Sequence, residues 1–221
     1  MKKVVLSVLC IITAFGLFAQ EKKVSWYLDA SLGQLKTYNH SGLSSLNSAY
    51  PTPENVSFSE DVGFGIVLND ILSIGIHCTN GNFTFFKDGF MTVSEIKENV
   101  SSSFFELRMG AIDKIGRLSV TSAVGLGVNL FSNKYEYLRA VDASLSMEKR
   151  EETFYSPAFA MGLHIIPSYQ IDSKTHVFLN ATAILSLAPE LKLNEDLQDY
   201  AIGKREPMSA INLSVGVRRY F

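Results

Sequence analysis

The sequence predicts an all-β fold: an eight-stranded antiparallel up-and-down transmembrane β-barrel, with four long loops at one end and short turns at the other. Three observations predict it. Apolar residues recur at every second position in eight segments. The stretches joining those segments alternate between tight turns and long polar runs. Glycine and ionic residues gather on the face opposite the bulky apolar one.

The chain has 221 residues, 19% charged and 47% hydrophobic, with a formal net charge of −2. That length suits one domain. Its first twenty residues read as an address. Met1, Lys2 and Lys3 form a basic start, Val4 to Ala19 is almost wholly apolar, and polar Gln20 to Lys23 follow. This is the layout of a secretory signal with cleavage expected after Ala19, so 1–19 is the leader and 20–221 the barrel domain. A retained anchor is the competing reading, although the apolar run is shorter than the roughly 20 residues a spanning helix needs. A lipoprotein signal at Cys10 does not fit, because Leu9 stands where a small residue is wanted. Without the leader, Cys78 is the one thiol left, so no internal disulfide can form. No basic stripe is present, which argues against a nucleic-acid partner.

The strands follow in order. The first covers about 24–35, with Trp26, Leu28, Ala30 and Leu32 on one face. The second, about 60–68, presents Val62, Phe64, Ile66 and Leu68, and the third, about 71–79, presents Leu72, Ile74, Ile76 and Cys78. The fourth, about 103–112, carries Phe105, Leu107, Met109 and Ala111. The fifth, 118–130, is the clearest: Leu118, Val120, Val124, Leu126, Val128 and Leu130 alternate with Ser119, Thr121, Ala123, Gly125, Gly127 and Asn129. The sixth (about 157–167), seventh (about 176–187) and eighth (about 208–221) repeat the pattern. Tight turns are expected at Asn69-Asp70, at 113–116 and at 171–174. Long outer loops are expected at 36–59, 80–102, 132–156 and 188–207, and these are the default surfaces for any partner.

Nine glycines inside these strands (Gly33, Gly63, Gly65, Gly75, Gly110, Gly125, Gly127, Gly162 and Gly216) share the face opposite the apolar one. An eight-stranded barrel is only wide enough inside for its own side chains, so small residues there relieve crowding. The same face carries Tyr27, Asp29, His77, Glu106, Arg108, His164, Asn180, Asn212 and Arg218. Ionic groups facing lipid are costly, so an interior polar network of Asp29, Glu106, Arg108 and Arg218 is expected. Aromatic residues near strand ends read as interfacial belts: Trp26, Tyr169, Tyr220 and Phe221 on the turn side, and Phe83, Phe85, Phe86, Phe104, Phe131, Phe154 and Tyr155 on the loop side.

The last segment, from Ala210 to Phe221, carries a resemblance. Ile211, Leu213, Val215 and Val217 alternate, and Phe221 closes the chain. This resembles the C-terminal strand of outer-membrane proteins, which in that family is read by the outer-membrane assembly machinery. Arg219 departs from the pattern, near the rim where a long side chain can reach the headgroups. The chain beyond the leader is similar to the small OmpA/OmpX-like outer-membrane barrel family. The resemblance implies residence in the outer membrane of a Gram-negative bacterium, with outer-membrane lipid and lipopolysaccharide as neighbours.

Catalytic and metal constellations are not evident. His77 is followed two on by Thr79 and His164 by Ile166, while His40 and His176 stand apart, so no nucleophile–base–orienter set or metal-ligand spacing emerges. No amphipathic helix precedes the first strand, as a palmitoyl-transferring barrel would have. Gly63-Phe64-Gly65 and Gly125-Leu126-Gly127 lack the following helix of a phosphate loop. The mixed-charge run Glu148 to Glu152 reads as a solvated loop or strand extension, or as a bridge to lipopolysaccharide phosphates or divalent cations. No cofactor and no enzymatic activity are expected. The leading expectation is a structural or surface-interaction barrel, the alternative a narrow channel for small or hydrophobic solutes; a lipid-A-modifying enzyme and a soluble lipocalin-shaped barrel rank lower.

Overall fold

A computed structural model describes residues 23–37, 56–87, 96–140, 147–187 and 209–221. The expected leader, and most of the expected loops 36–59 and 188–207, lie outside the described residues. Eight strands form one closed barrel in chain order: β1 (Val24–Thr37), β2 (Val56–Leu68), β3 (Leu72–Lys87), β4 (Ile96–Ile115), β5 (Leu118–Ala140), β6 (Met147–Gln170), β7 (Thr175–Ser186) and β8 (Ser209–Tyr220). All eight pairings are antiparallel, and β8 closes on β1 with Asp29 opposite Arg218 and Tyr27 opposite Tyr220.

The turns follow from their residues. Asn69 and Asp70 both adopt positive φ (52° and 59°), the left-handed conformation a two-residue hairpin needs and these side chains tolerate. Gly116 supplies the positive φ between β4 and β5. At the third turn Asp172 Oδ1 accepts from the backbone N–H groups of Lys174 (2.7 Å) and Thr175 (2.9 Å), an Asx turn.

Two of the expected long loops are largely strand. β3 and β4 run on to Lys87 and Ile96, which face each other, so 80–102 contracts to 88–95. β5 and β6 pair without interruption up to Ala140 and Met147, so 132–156 contracts to 141–146. The charged run Glu148 to Glu152 lies on β6. Alternation fades there because the outward positions, Asn80, Asn82, Thr84, Ser132, Lys134 and Glu136, are polar, while the backbone ladder persists. From Ser132 to Ala140 the β5 extension runs about 25 Å along the strand.

Side chains sort by direction. The wall-facing residues are exposed, Ile76 at 67%, Val124 at 45% and Leu213 at 61%, whereas Arg108 is 4% and Asn212 0% exposed. Bulky aliphatic groups therefore cover the outside and polar groups fill the inside. The outer apolar band gives way to polar residues at Gln34, Glu60, Asn80 and Ser132 toward the loops, with Phe58 outward beyond Glu60, and at Lys23, Asp70 and Asp172 toward the turns.

The interior is not wholly polar. Phe83, Phe104 and Phe131, expected in an interfacial belt, point inward and are 1–3% exposed. With Leu35, Val100 and Ile184 they form an apolar plug at the loop end of the lumen. Their strand parity decides this: Phe83 shares the face of His77, and Phe104 that of Glu106. Interior positions at this level carry no fixed charge to pair, so packed rings fill the space with more contact per residue. Trp26, Tyr155, Tyr169 and Phe221 do face outward, and Trp26 stacks on Phe64 at 5.4 Å. Tyr220 turns partly inward, edge-on to Tyr27 and His176. The side chains of Phe85, Phe86 and Phe154 lie outside the described residues.

Candidate functional site

The densest chemistry lies in the middle of the lumen. β4 contributes Glu106 and Arg108, two apart and therefore on one face. Each has a glycine directly across a ladder: Gly127 opposite Glu106, and Gly75 and Gly125 on either side of Arg108. These gaps are where the long side chains lie. A Cβ on Gly125 would overlap Glu106 Oε2, and one on Gly63 would overlap the His77 ring. Glycine at these two positions is thus required by close approach, not by backbone angle.

Arg108 donates through Nε to Glu106 Oε1 (3.0 Å) and through a terminal nitrogen to Asp61 Oδ2 (3.1 Å). Asp61 also accepts from Thr79 Oγ1 at 3.0 Å, and its Oδ1 lies 3.4 Å from His77 Nδ1. Glu106 Oε2 lies 3.0 Å from His164 Nε2, and His164 Nδ1 lies 3.0 Å from Thr182 Oγ1. All of these side chains are buried. Removing one partner from such a cluster leaves an uncompensated buried charge, which is far costlier than losing a surface pair.

A second pair sits nearer the turns. Arg218 donates from Nε and a terminal nitrogen to the two oxygens of Asp29, both at 2.7 Å, a bidentate geometry. Its guanidinium also lies 4.2 Å from the centre of the Tyr27 ring. The Tyr27 hydroxyl lies 3.3 Å from His77 Nε2, so the two ionic groups touch through one phenol.

The structure brings Arg108 to Glu106 and Arg218 to Asp29, as two groups rather than one four-residue network. Sequence reasoning missed Asp61, the second carboxylate on Arg108. The available signal was parity: Asp61 shares the inward face of Gly63 and Gly65. It also left His77 and His164 without partners. Beyond the cluster, Asn129 accepts from Ser102 (2.9 Å) and donates to Ser186 (3.2 Å), and Ser59 donates to Asn212 (2.7 Å). These bridges fill the space between the ions and the apolar plug.

In β8, Ile211, Leu213, Val215 and Val217 face outward, and the backbone N–H of Phe221 donates to Trp26 C=O at 2.9 Å. Arg219 is exposed at the turn rim, bonded to Thr175 and 3.9 Å from Asp172.

On the raised part of β5 and β6, Lys134 and Lys149 both bridge Glu136 and Glu151. The two ammonium donors, Lys149 foremost, hold the Glu151 carboxyl down at about 2. The lattice is solvent-exposed, so it adds little stability. At the opposite end, the Lys174 backbone N–H holds the Asp172 carboxyl below its ordinary value. No group of three or more metal-ligating side chains occurs among the described residues.

No protein-family model matches the sequence, and no curated protein matches it. Solved structures do. A major outer membrane protein from Thermus thermophilus aligns with 90% of this chain and 100% of its own at a TM-score of 0.59 and 11% identity. Ail, the attachment invasion locus protein of Yersinia pestis, solved with the heparin analogue sucrose octasulfate, aligns over 90% and 99% at 0.46 and 10%. The outer membrane protease OmpT of Escherichia coli aligns over 92% and 98% at 0.43 and 6%. The first likeness shows the fold, a barrel of the outer-membrane type. A fold by itself does not choose an activity.

Proposed function

We propose that this chain is an integral outer-membrane β-barrel, exported behind a leader at 1–19, with a structural or surface-interaction role at the end where β3 to β6 project. One observation carries the reading: the barrel is apolar outside and ionic inside. A soluble barrel would expose Ile76, Val124 and Leu213 to water, while a bilayer accepts them. In a bilayer, closure of β8 on β1 also leaves no unpaired edge at membrane depth.

The end of β8 fits recognition by an assembly machinery, since Ile211, Leu213, Val215, Val217 and Phe221 form a regular outward ridge. The raised sheet stands beyond the apolar band, level with headgroups and above, and is the natural contact surface for lipopolysaccharide or an external ligand. A channel is the weaker reading, because the apolar plug and the ionic cluster occupy successive levels of the lumen. A catalytic role is weaker still, because the described histidines, His77, His164 and His176, are buried inside. Membrane fractionation with conductance recording tests the proposal. Recovery in the outer-membrane fraction with no sustained conductance steps is expected; recovery in the soluble periplasm, or sustained steps from the purified protein, contradicts it.

A further inference from the structure

We infer that the lumen is a proton-binding site and that the proton sits on His164, as an imidazolium between Glu106 and Thr182. Side-chain geometry carries this, whichever surface role the barrel performs.

Charge comes first. Asp61 and Glu106 share the single guanidinium of Arg108, and none of the three side chains is more than 5% exposed. Asp29 and Arg218 balance each other and lend nothing. The cluster is one positive charge short. Two imidazoles adjoin it, His77 and His164, both with 0% side-chain exposure.

Hydrogen-bond direction chooses between them. A carboxylate only accepts, so His164 Nε2, 3.0 Å from Glu106 Oε2, carries a hydrogen. At the other nitrogen, Thr182 Oγ1 donates its own hydrogen to Asn180 Oδ1 at 3.0 Å, so toward His164 Nδ1 the hydroxyl accepts. Both ring nitrogens then carry hydrogen. His77 differs. Its Nδ1 faces Asp61 and carries a hydrogen, but its Nε2 faces the Tyr27 hydroxyl. Among the described residues that hydroxyl has no other acceptor, so it donates and Nε2 is bare. His77 is neutral and His164 is not.

Every strand around His164 agrees. β4 presents Glu106 and Arg108, β2 Asp61, β3 the neutral His77, and β7 only Thr182 and Asn180. The adjoining β5 positions are Ala123 and Gly125, without charge. Burial works against an imidazolium, but its absence would leave two carboxylates to one guanidinium in the same dry space. A charge-assisted bond to Glu106 offsets the cost.

The test is nitrogen NMR of the histidine-labelled full barrel in lipid nanodiscs at about pH 7. One ring with both nitrogens protonated is expected, lost in His164→Gln, and one ring with a single bare nitrogen, lost in His77→Gln. Glu106→Gln is expected to return His164 to the neutral form. Thermal midpoints from about pH 6 to about pH 9 add a second readout, falling in the wild type and flat in His164→Gln. If His164→Gln does not fold, assignment by His40→Gln, His77→Gln and His176→Gln leaves His164 by elimination. A bare nitrogen on His164 in the wild type overturns the inference, as does a doubly protonated His77.

Discussion

Replacing Arg108 by methionine removes the one guanidinium that Asp61 and Glu106 share while keeping much of its length. Both carboxylates are essentially unexposed, and each loses a direct donor, at 3.1 Å for Asp61 and 3.0 Å for Glu106. Asp61 keeps Thr79 and His77, and Glu106 keeps His164 alone. Breaking a buried pair from one side costs about 3–5 kcal/mol, so Arg108→Met is expected to lose that much. The assay is urea unfolding of the refolded barrel in lipid vesicles, followed by tryptophan emission and heat-modifiable gel migration. Adding Glu106→Gln removes one of the two stranded charges. The double variant should be more stable than Arg108→Met alone, a coupling of about 1 kcal/mol or more. A single variant within about 0.5 kcal/mol of wild type, or strict additivity in the pair, would refute the reasoning.

Val124→Arg puts a cation on the lipid-facing wall at mid-strand and is expected to cost about 2–4 kcal/mol in the same assay or to block insertion. Asn129→Ser, silent if only its inward direction mattered, breaks the bridge from Ser102 to Ser186 and is expected to cost about 1–3 kcal/mol. Gly125→Ala drives a methyl into Glu106 and should reduce the folded fraction on the gel far more than Gly116→Ala at the open hairpin, where nothing lies within 4 Å and only the positive φ resists a side chain. Asp172 holds the last turn through its carboxylate, and its folded titration lies below its ordinary value of 3.8. Exchange protection of the Lys174 and Thr175 amides should be full above that value, fade as pH falls through it and below, and be absent at every pH in Asp172→Ala.

The strands were legible because a closed barrel leaves a simple imprint. From Leu118 to Leu130 every even side chain but Ser122 is bulky and lies on the outer wall, while the odd ones must fit a narrow lumen. Where β5 leaves that environment, at Ser132, Lys134 and Glu136, the imprint stops although the strand does not. The inward ionic face was legible for the same reason, but its pairings were not. Arg108 reaches Asp61 on β2, across β3, and that contact depends on the barrel's stagger, which parity does not contain. Asp61 was further hidden next to Ser59 and Glu60, where the apolar alternation is interrupted. Phe83, Phe104 and Phe131 show two rules in conflict: aromatics favour interfaces, yet parity sends these three inward, and parity prevails because one ladder fixes every side chain's direction.

Fold, placement and lumen chemistry all depend on which way the aliphatic side chains point. Methyl NMR of the barrel in nanodiscs with a lipid-soluble paramagnetic probe reads this directly, because similar methyls occur on both faces. Ile76, Val124 and Leu213 should broaden strongly, and Val100, Ile166 and Ile184, 1–3% exposed inside the lumen, should not. Equal broadening of the two sets, or broadening of Ile76 and Leu213 by a water-soluble probe instead, would contradict it.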